Sequence, residues 1–138
     1  MMEVQEMTRI QLTGCCGRMG RMITDLVSRT EGVEIVEGAD TYFENAGSFV
    51  FPYPVRGSLS EFTEEADVLL DFSTATALEG ILDYVKAHKL PAILCATGYS
   101  PEQLEAIQET SQVVPVLRSS NMSIGINLLS GLLEEIAG

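Results

Sequence analysis

The sequence predicts an α/β fold in which helices cover both faces of a doubly wound parallel sheet. Short apolar segments alternate with amphipathic ones, and turn residues separate them, which is the pattern of repeated strand–helix units. Val68, Leu69 and Leu70 are continuously apolar, as is typical of a strand buried on both faces. A glycine-rich turn from Gly14 to Gly20 joins the first apolar segment to the first amphipathic one.

Length and composition indicate a single domain. The chain has 138 residues, of which 46% are hydrophobic and 20% are charged, enough to bury an ordinary globular core. We expect residues 1–7 to be a flexible extension and residues 8–138 to form the domain. The first residues are acidic and no apolar stretch approaches the ~20 residues of a membrane span, so neither a signal peptide nor a membrane anchor is predicted.

The net charge of −12 argues against two classes of partner. Nucleic acid and anionic membranes both require clustered cations, and the chain has only eight Lys and Arg residues.

The chain has an odd number of cysteines, Cys15, Cys16 and Cys95, which predicts no disulfide framework and a cytoplasmic location. With His88 as the single histidine, no set of metal ligands is convincing.

The first elements follow from the spacing of apolar residues. Residues 9–13 are predicted to form a strand and residues 18–30 a helix, because apolar positions recur along one side of the second segment. Residues 33–38 are predicted to form the next strand.

A long loop, residues 41–57, is predicted after the second strand. Pro52 and Pro54 exclude a regular central strand, although a short strand is expected near Val55, before a helical turn at residues 60–64. The loop is also a reasonable place for a mobile flap beside a cleft. We expect its aromatic side chains to pack at the domain edge rather than to form a nucleotide platform; they are Tyr42, Phe43, Phe49, Phe51 and Tyr53.

The second half of the chain repeats the strand–helix pattern. Ser100 begins a helix with a capping box, since Pro101 stands at its first position and Gln103 at its third. Pro115 places the strand around it near an edge of the sheet. The predicted strands are residues 68–72, 91–95 and 113–117, and the predicted helices are residues 73–88, capped by Ser73 and Thr74, the one starting at Ser100, and residues 124–137.

The last predicted helix ends in an unfavourable way. Glu134 and Glu135 lie at the negative end of its dipole. We therefore expect this helix to continue into further protein, with Gly138 as a helix stop the alternative.

The turn after the first strand carries the main functional signal. A strand that turns on glycines into a helix directs backbone N–H groups and the positive end of the helix dipole to one point, which suits a phosphate or diphosphate. Glycines recur every three residues here, and Cys16 stands where the common G-x-G-x-x-G pattern has its second glycine. Asp40, 20 positions after Gly20, follows the second strand, where dinucleotide-binding folds place the carboxylate that binds the adenosine ribose.

Small or hydroxylic residues follow five of the predicted strands. Ligands of open α/β sheets bind beyond the carboxyl ends of the strands, so these ends favour a long cofactor lying across the sheet edge. The alternative is that such residues simply make good turns and caps. The candidate cofactor-binding residues are Gly14, Cys15, Cys16, Gly17, Arg18, Met19, Gly20, Asp40, Thr41, Phe72, Ser73, Cys95, Ala96, Thr97, Ser119, Ser120, Asn121 and Met122.

These segments together resemble the amino-terminal domain of dihydrodipicolinate reductase, also called 4-hydroxy-tetrahydrodipicolinate reductase, of the diaminopimelate and lysine pathway. The resemblance covers about residues 8–137. It rests on Gly14-Cys15-Cys16-Gly17-Arg18-Met19-Gly20, Asp67-Val68-Leu69-Leu70-Asp71-Phe72-Ser73, Ala96-Thr97-Gly98 and Ser120-Asn121-Met122-Ser123-Ile124-Gly125-Ile126-Asn127.

The resemblance implies a Rossmann-like domain that binds a nicotinamide dinucleotide for hydride transfer to a cyclic dicarboxylate. By the resemblance, the residues from Gly14 to Met19 hold the diphosphate and Asp40 holds the adenosine ribose. The segment from Cys95 to Gly98 lies by the nicotinamide ribose, but Cys95 replaces a usual glycine and Ala96 a threonine, which puts one hydroxyl contact in doubt. Ser119 to Met122 complete the nicotinamide side.

The residue after Asp40 bears on the choice of cofactor. Some family members have an arginine there that meets the 2′-phosphate of NADP, whereas this chain has Thr41. Since a carboxylate repels that phosphate, NADH is expected to be preferred, with NADPH possible.

The family's substrate-binding segments are not found in this sequence. The resemblance places them, the dicarboxylate substrate and the contacts of a homotetramer in a following domain, so this chain is expected to be a monomer that lacks activity alone and has no catalytic residue of its own. One alternative is a stand-alone redox sensor, in which Cys15 and Cys16 have lowered pKa values at a helix start. Another is the cofactor domain of a different two-domain dehydrogenase.

Overall fold

The computed structural model describes residues 7–42 and 49–119. Its regular elements alternate between strand and helix, as predicted. They are β1 (Thr8–Thr13), α1 (Arg18–Ser28), β2 (Val33–Ala39), β3 (Val55–Arg56), β4 (Val68–Asp71), α2 (Leu78–His88), β5 (Ala92–Leu94), α3 (Pro101–Ser111) and β6 (Val116–Arg118), with 3₁₀ turns at Leu59–Glu61 and Ala75–Ala77.

The six strands form one parallel sheet in the order β3-β2-β1-β4-β5-β6. This order confirms the predicted doubly wound α/β class. The chain builds outward from β1 in one direction and then from β4 in the other, so the order reverses between these two central strands. The crevice at this reversal is where ligands of such sheets bind.

Alternate residues of the central strands face opposite sides of the sheet, which explains why these strands are apolar throughout. Leu70 belongs to a buried cluster with Ile23 of α1, whereas Leu69 belongs to a second cluster with Ile81 of α2 and Ile107 of α3. Helices therefore cover both faces.

Two predicted boundaries were wrong for local reasons. The helix predicted from residue 73 begins as the 3₁₀ turn Ala75–Ala77, and α2 starts only at Leu78; Thr74 precedes that turn without a side-chain capping bond. The strand predicted at residues 113–117 is instead Val116–Arg118. Residues 112–114 still complete the end of α3, since Val113 N and Val114 N both donate to Thr110 O.

Smaller differences concern element ends. Helix α1 ends at Ser28 rather than at residue 30, and the helical turn predicted at residues 60–64 is the 3₁₀ turn Leu59–Glu61, which Ser58 caps through a bond from Ser60 N. The predicted capping box of α3 is present: Ser100 Oγ accepts from Gln103 N at 3.1 Å and Gln103 Oε1 accepts from Ser100 N at 2.8 Å. The helix predicted at residues 124–137 lies outside the described residues.

Two aromatic residues of the loop after β2 pack against the core, as expected. Phe51 and Tyr53 join the core cluster beneath α1, and the Tyr53 hydroxyl lies 2.7 Å from Thr24 Oγ1 of α1. Phe49 continues the row, with its ring 4.7 Å from that of Phe51. Tyr42 is different, since it is 70% exposed, and Phe43 is outside the described residues.

One buried carboxylate holds the segment before β4 onto the sheet. Glu37 of β2 is fully buried, and its oxygens accept from Thr63 N, Glu64 N and Gln11 Nε2. Arg56 of β3 lies 3.6 Å away and partly compensates the charge. No helix in the described part of the chain is long and apolar enough to cross a membrane.

Candidate dinucleotide-binding site

The predicted glycine turn lies at the reversal of strand order, where β1 and β4 end side by side. Gly14 has φ +76°, and a Cβ there would lie 2.5 Å from the carbonyl carbon of Phe72. A Cβ on Gly20 would lie 2.3 Å from Gly14 O. These two glycines are therefore required for packing: the first lets the turn lie against the chain leaving β4, and the second lets α1 lie against the turn.

Gly17 has no such packing role. The nearest atom to a Cβ built on it is Gly14 O at 3.5 Å, an ordinary contact, and its backbone is extended, with φ −75° and ψ 173°. Gly17 is also exposed. Its lack of a side chain therefore leaves open space over the turn, on the side that solvent reaches.

The first turn of α1 presents hydrogen-bond donors to that space. Gly17 occupies the N-cap position and no side chain caps the helix. The N–H groups of Arg18, Met19 and Gly20 have no acceptor within the helix, because the first intrahelical bond runs from Arg21 N to Gly17 O. No acidic residue stands in the first turn. Arg18 itself is exposed. Together these groups make a positively polarised cradle suited to an anion.

Asp40 lies beside this cradle at the end of β2. Its Oδ2 accepts from Cys16 N at 2.9 Å and its Oδ1 from Tyr42 N at 2.9 Å. The Cys16 N–H therefore faces the carboxylate rather than the open space over Gly17. Cys16 also needs no glycine conformation, because Lys89 is the one non-glycine residue with positive φ in the described ranges. This explains how a cysteine replaces the second glycine of the common pattern.

Sequence reasoning missed Arg21 as a neighbour of this region. Its Nε donates to Cys16 O at 3.0 Å, and its guanidinium lies 5.5 Å from the ring centroid of Phe49, within the range of a cation–π contact. A polar residue one helical turn after Gly17 was the available signal.

The two adjacent cysteines have a packing role. Cys15 is fully buried, and a Cβ on Gly38 of β2 would lie 2.9 Å from Cys15 Sγ and 2.7 Å from the ring of Tyr53. Burial raises the pKa of Cys15 to about 12, and burial followed by the charge of Asp40 raises the pKa of Cys16. The lowered thiol pKa values considered from the sequence are wrong. The redox-sensor alternative, which depended on them, is not favoured.

The turn after β4 is tied to β1 by a carboxyl group. Asp71 is fully buried, and its Oδ1 accepts from Thr13 Oγ1 at 2.7 Å and from Ser73 N at 2.9 Å. Phe72 and Ser73 are half-buried beside Gly14. The role of Asp71 was missed in the sequence, where the signal was a polar residue within an otherwise apolar strand.

The turn after β5 lies next along the sheet edge. Cys95 N donates to Asp71 O at 2.9 Å, and Cys95 is buried, which raises its pKa to about 12. Ala96 is half-buried, whereas Thr97 is exposed. Ser119 N donates to Leu94 O at 2.9 Å, so the chain leaving β6 stays close to β5. Three further candidates lie outside the described residues: Ser120, Asn121 and Met122.

The strand order and the glycine turn together define the class of protein: an α/β domain of the dinucleotide-binding type. Structures of dehydrogenases and reductases share the fold. The dipicolinate-bound dihydrodipicolinate reductase from Paenisporosarcina sp. TG-14 superposes with a TM-score of 0.69 at 22% identity over 83% of this chain and 48% of that one. The WlbA dehydrogenase from Bordetella pertussis, solved with NADH and UDP-GlcNAcA, gives 0.70 at 18% identity over 94% and 42%.

Sequence similarity narrows this class to one family. The family model described as "Dihydrodipicolinate reductase, N-terminus" matches residues 8–122. The 4-hydroxy-tetrahydrodipicolinate reductase of Clostridium novyi (strain NT) is 46% identical over 131 residues, which are 95% of this chain and 50% of that protein. The reductase of Clostridium tetani (strain Massachusetts / E88) is 43% identical over 136 residues, or 99% and 52%.

The chain belongs to the dihydrodipicolinate reductase family and corresponds to its amino-terminal part. It spans about half the length of the curated relatives that it matches. The resemblance stated from the sequence is thereby confirmed.

Proposed function

We propose that this chain is the cofactor-binding half of a 4-hydroxy-tetrahydrodipicolinate reductase and binds NADH across the carboxyl ends of its strands. The observation that carries this proposal is the open space over Gly17, faced by the uncapped first turn of α1 at the reversal of strand order. Family membership adds the reaction class. When bound, the nicotinamide supplies a hydride to a cyclic dicarboxylate.

The described residues fit the diphosphate and the adenosine ribose of a dinucleotide. The N–H groups of the first turn of α1 bind the diphosphate, with Arg18 adding positive charge. The N–H groups of Gly14 and Gly17 are already bonded to Ala39 O and Gly14 O. The Asp40 carboxylate accepts hydrogen bonds from Cys16 N and Tyr42 N. Its remaining lone pairs accept a hydrogen bond from a ribose hydroxyl. The same two bonds keep the carboxylate at the edge of the cradle.

The nicotinamide end lies toward β4, β5 and β6. Phe72 and Ser73 stand beside Gly14, and Cys95 to Thr97 follow on the next strand. Ser119 stays close to β5 through its bond to Leu94 O. We assign Ser120, Asn121 and Met122 to this end on the family resemblance alone.

The expected preference for NADH rests on the charge of Asp40. Its carboxylate lies where the 2′-hydroxyl binds, so the 2′-phosphate of NADPH meets a like charge there. Thr41 is exposed and contributes no cation. Arg56, on the neighbouring strand, lies 3.6 Å from Glu37 and partly compensates that carboxylate.

By the family resemblance, the dicarboxylate substrate, proton donation to it and assembly into a tetramer involve the half of the relatives that this chain does not span. We propose that the chain binds cofactor as a monomer and turns over no substrate alone.

Titration of the 138-residue chain with NADH and NADPH, followed through the fluorescence of the reduced nicotinamide, tests the binding. We expect saturable NADH binding and about tenfold weaker NADPH binding, equivalent to about 1.4 kcal/mol.

A turnover assay with and without the remaining half of a relative separates binding from catalysis. NADH binding without turnover, and turnover once that half is supplied, is the expected result. Absence of NADH binding at millimolar concentration would exclude the proposed function.

A further inference from the structure

The carboxyl group of Asp71 has two very different oxygens. Oδ1 accepts three hydrogen bonds, from Thr13 Oγ1, from Ser73 N and from Ser73 Oγ. Oδ2 is buried and has no hydrogen-bond partner in the described part of the chain. The side chain is fully buried between β1 and the turn after β4.

A negative charge is unfavourable at this position. No lysine or arginine within the described ranges forms an ion pair with Asp71, and an unpaired buried carboxylate has a large desolvation cost. The titratable groups that face it are Cys95 and Tyr99, with Arg118 of β6 beyond Tyr99. The Tyr99 hydroxyl is buried as well. Burial raises the pKa of Asp71, and the bonds from Ser73 and Thr13 oppose that rise. This environment favours Asp71 as a neutral acid with its proton on Oδ2.

The arrangement decides which kind of hydrogen bond Ser73 can offer. Its hydroxyl proton is directed to Asp71 Oδ1, so the lone pairs of Ser73 Oγ are the groups left for another partner. Ser73 is half-buried and lies against Gly14 at the reversal of strand order. An acceptor there suits a ribose hydroxyl or a carboxamide N–H, and it disfavours a phosphate oxygen.

We propose that Asp71 is a positioning residue that stays neutral and, by holding the Ser73 proton, makes Ser73 an acceptor for a hydroxyl or amide N–H group of the dinucleotide. The inference rests on the proposed function, since it requires the dinucleotide to lie at this edge. It assigns no chemical step to Asp71. The residue acts through Ser73.

Titration of variants with NADH at neutral pH tests this proposal. S73A removes the acceptor and is expected to weaken NADH binding about fivefold, the equivalent of about 1 kcal/mol for one hydrogen bond. S73T keeps the hydroxyl and is expected to restore affinity to within about twofold. D71N matches a neutral acid in shape, keeps an acceptor oxygen, and is expected to retain affinity to the same degree.

Replacing Asp71 by an apolar residue tests whether it acts by orienting the Ser73 hydroxyl. D71V leaves the Ser73 proton undirected and is expected to weaken binding about fivefold. Because Asp71 acts through Ser73, the double variant D71V/S73A should bind no more weakly than S73A does, whereas independent effects would multiply. Circular dichroism of each variant establishes that it is folded. If D71V does not fold, S73A, S73T and D71N still decide the question.

Two results would overturn the inference while leaving the proposed function intact. Wild-type affinity in S73A would show that the dinucleotide donates no hydrogen bond to Ser73. A loss in D71N as large as in D71V would show that the negative charge, and not a neutral acid, is needed. If the wild-type chain itself failed to bind NADH, the proposed function would fall with it.

Discussion

Adding one methyl group to each glycine of the turn after β1 distinguishes the glycines that the fold requires from the one that leaves room for the ligand. In Gly17→Ala the new Cβ meets Gly14 O at 3.5 Å, a normal contact, and the backbone φ of −75° is one that alanine adopts freely. Alanine is a poorer N-cap than glycine. It also lowers the conformational entropy of the unfolded chain, which stabilises the fold by about 0.4–1 kcal/mol. We therefore expect the free energy of unfolding to change by less than about 1 kcal/mol.

The same methyl group should be costly for the cofactor. It fills the space above the first turn of α1 and moves the diphosphate away from the N–H groups there. Hydrogen bonds to charged groups contribute about 1.5–3 kcal/mol each, so the loss of one weakens NADH binding roughly 10- to 100-fold. Isothermal titration calorimetry measures the affinity, and urea unfolding followed by circular dichroism measures the stability.

Two matched glycine variants serve as controls. Gly80→Ala adds the same methyl to α2, where no atom of the described residues outside the helix backbone lies within 4 Å. It should leave NADH affinity unchanged while stabilising the helix by up to about 1 kcal/mol. Gly20→Ala places its Cβ 2.3 Å from Gly14 O, so it should destabilise the fold itself by about 1–3 kcal/mol or more. A Gly17→Ala chain that binds NADH as the wild type does would refute the assignment of the cradle.

Three further predictions test other parts of the structure. Thr41→Arg places a cation beside Asp40 and should tighten NADPH binding about tenfold at low salt while NADH affinity changes less; equal changes in the two titrations would contradict the assigned ribose position. Ser100→Ala removes the capping box of α3 and should lower the free energy of unfolding by about 1 kcal/mol, measured in urea; an unchanged midpoint would count against it. For Asp71, the raised pKa means that the unfolded chain loses this proton first, so stability contributed by the neutral acid is full below pH ~4 and is lost as pH rises toward the folded-state pKa. Asp71→Asn should abolish that loss, and unfolding curves from pH 4 to 8 that remain parallel for the two proteins would contradict a raised pKa.

The fold class was accessible from the sequence because its signals are local. Val68, Leu69 and Leu70 predicted a strand buried on both faces, and alternating apolar patterns predicted parallel strand–helix units. The capping box at Ser100 needs only four consecutive residues, which is why the start of α3 was placed correctly. The ends of elements were less accessible. Strand β6 starts only at Val116 because Val113 N and Val114 N still donate hydrogen bonds to Thr110 O at the end of α3.

What the sequence alone determined was the alternation of strands and helices, the glycine turn that opens α1 and the family of the chain, since each depends on residues close together along the chain. Tertiary structure decided the rest. It brought Cys16 N to Asp40 across 24 positions and placed Cys15 and Tyr53 in one core cluster. It also left one oxygen of Asp71 buried with no hydrogen-bond partner among the described residues. Burial and the electrostatics that follow from it depend on neighbours distant in sequence. For that reason the lowered thiol pKa values on which the redox-sensor alternative depended have the wrong direction, and the roles of Glu37 and Asp71 emerged only from the folded chain.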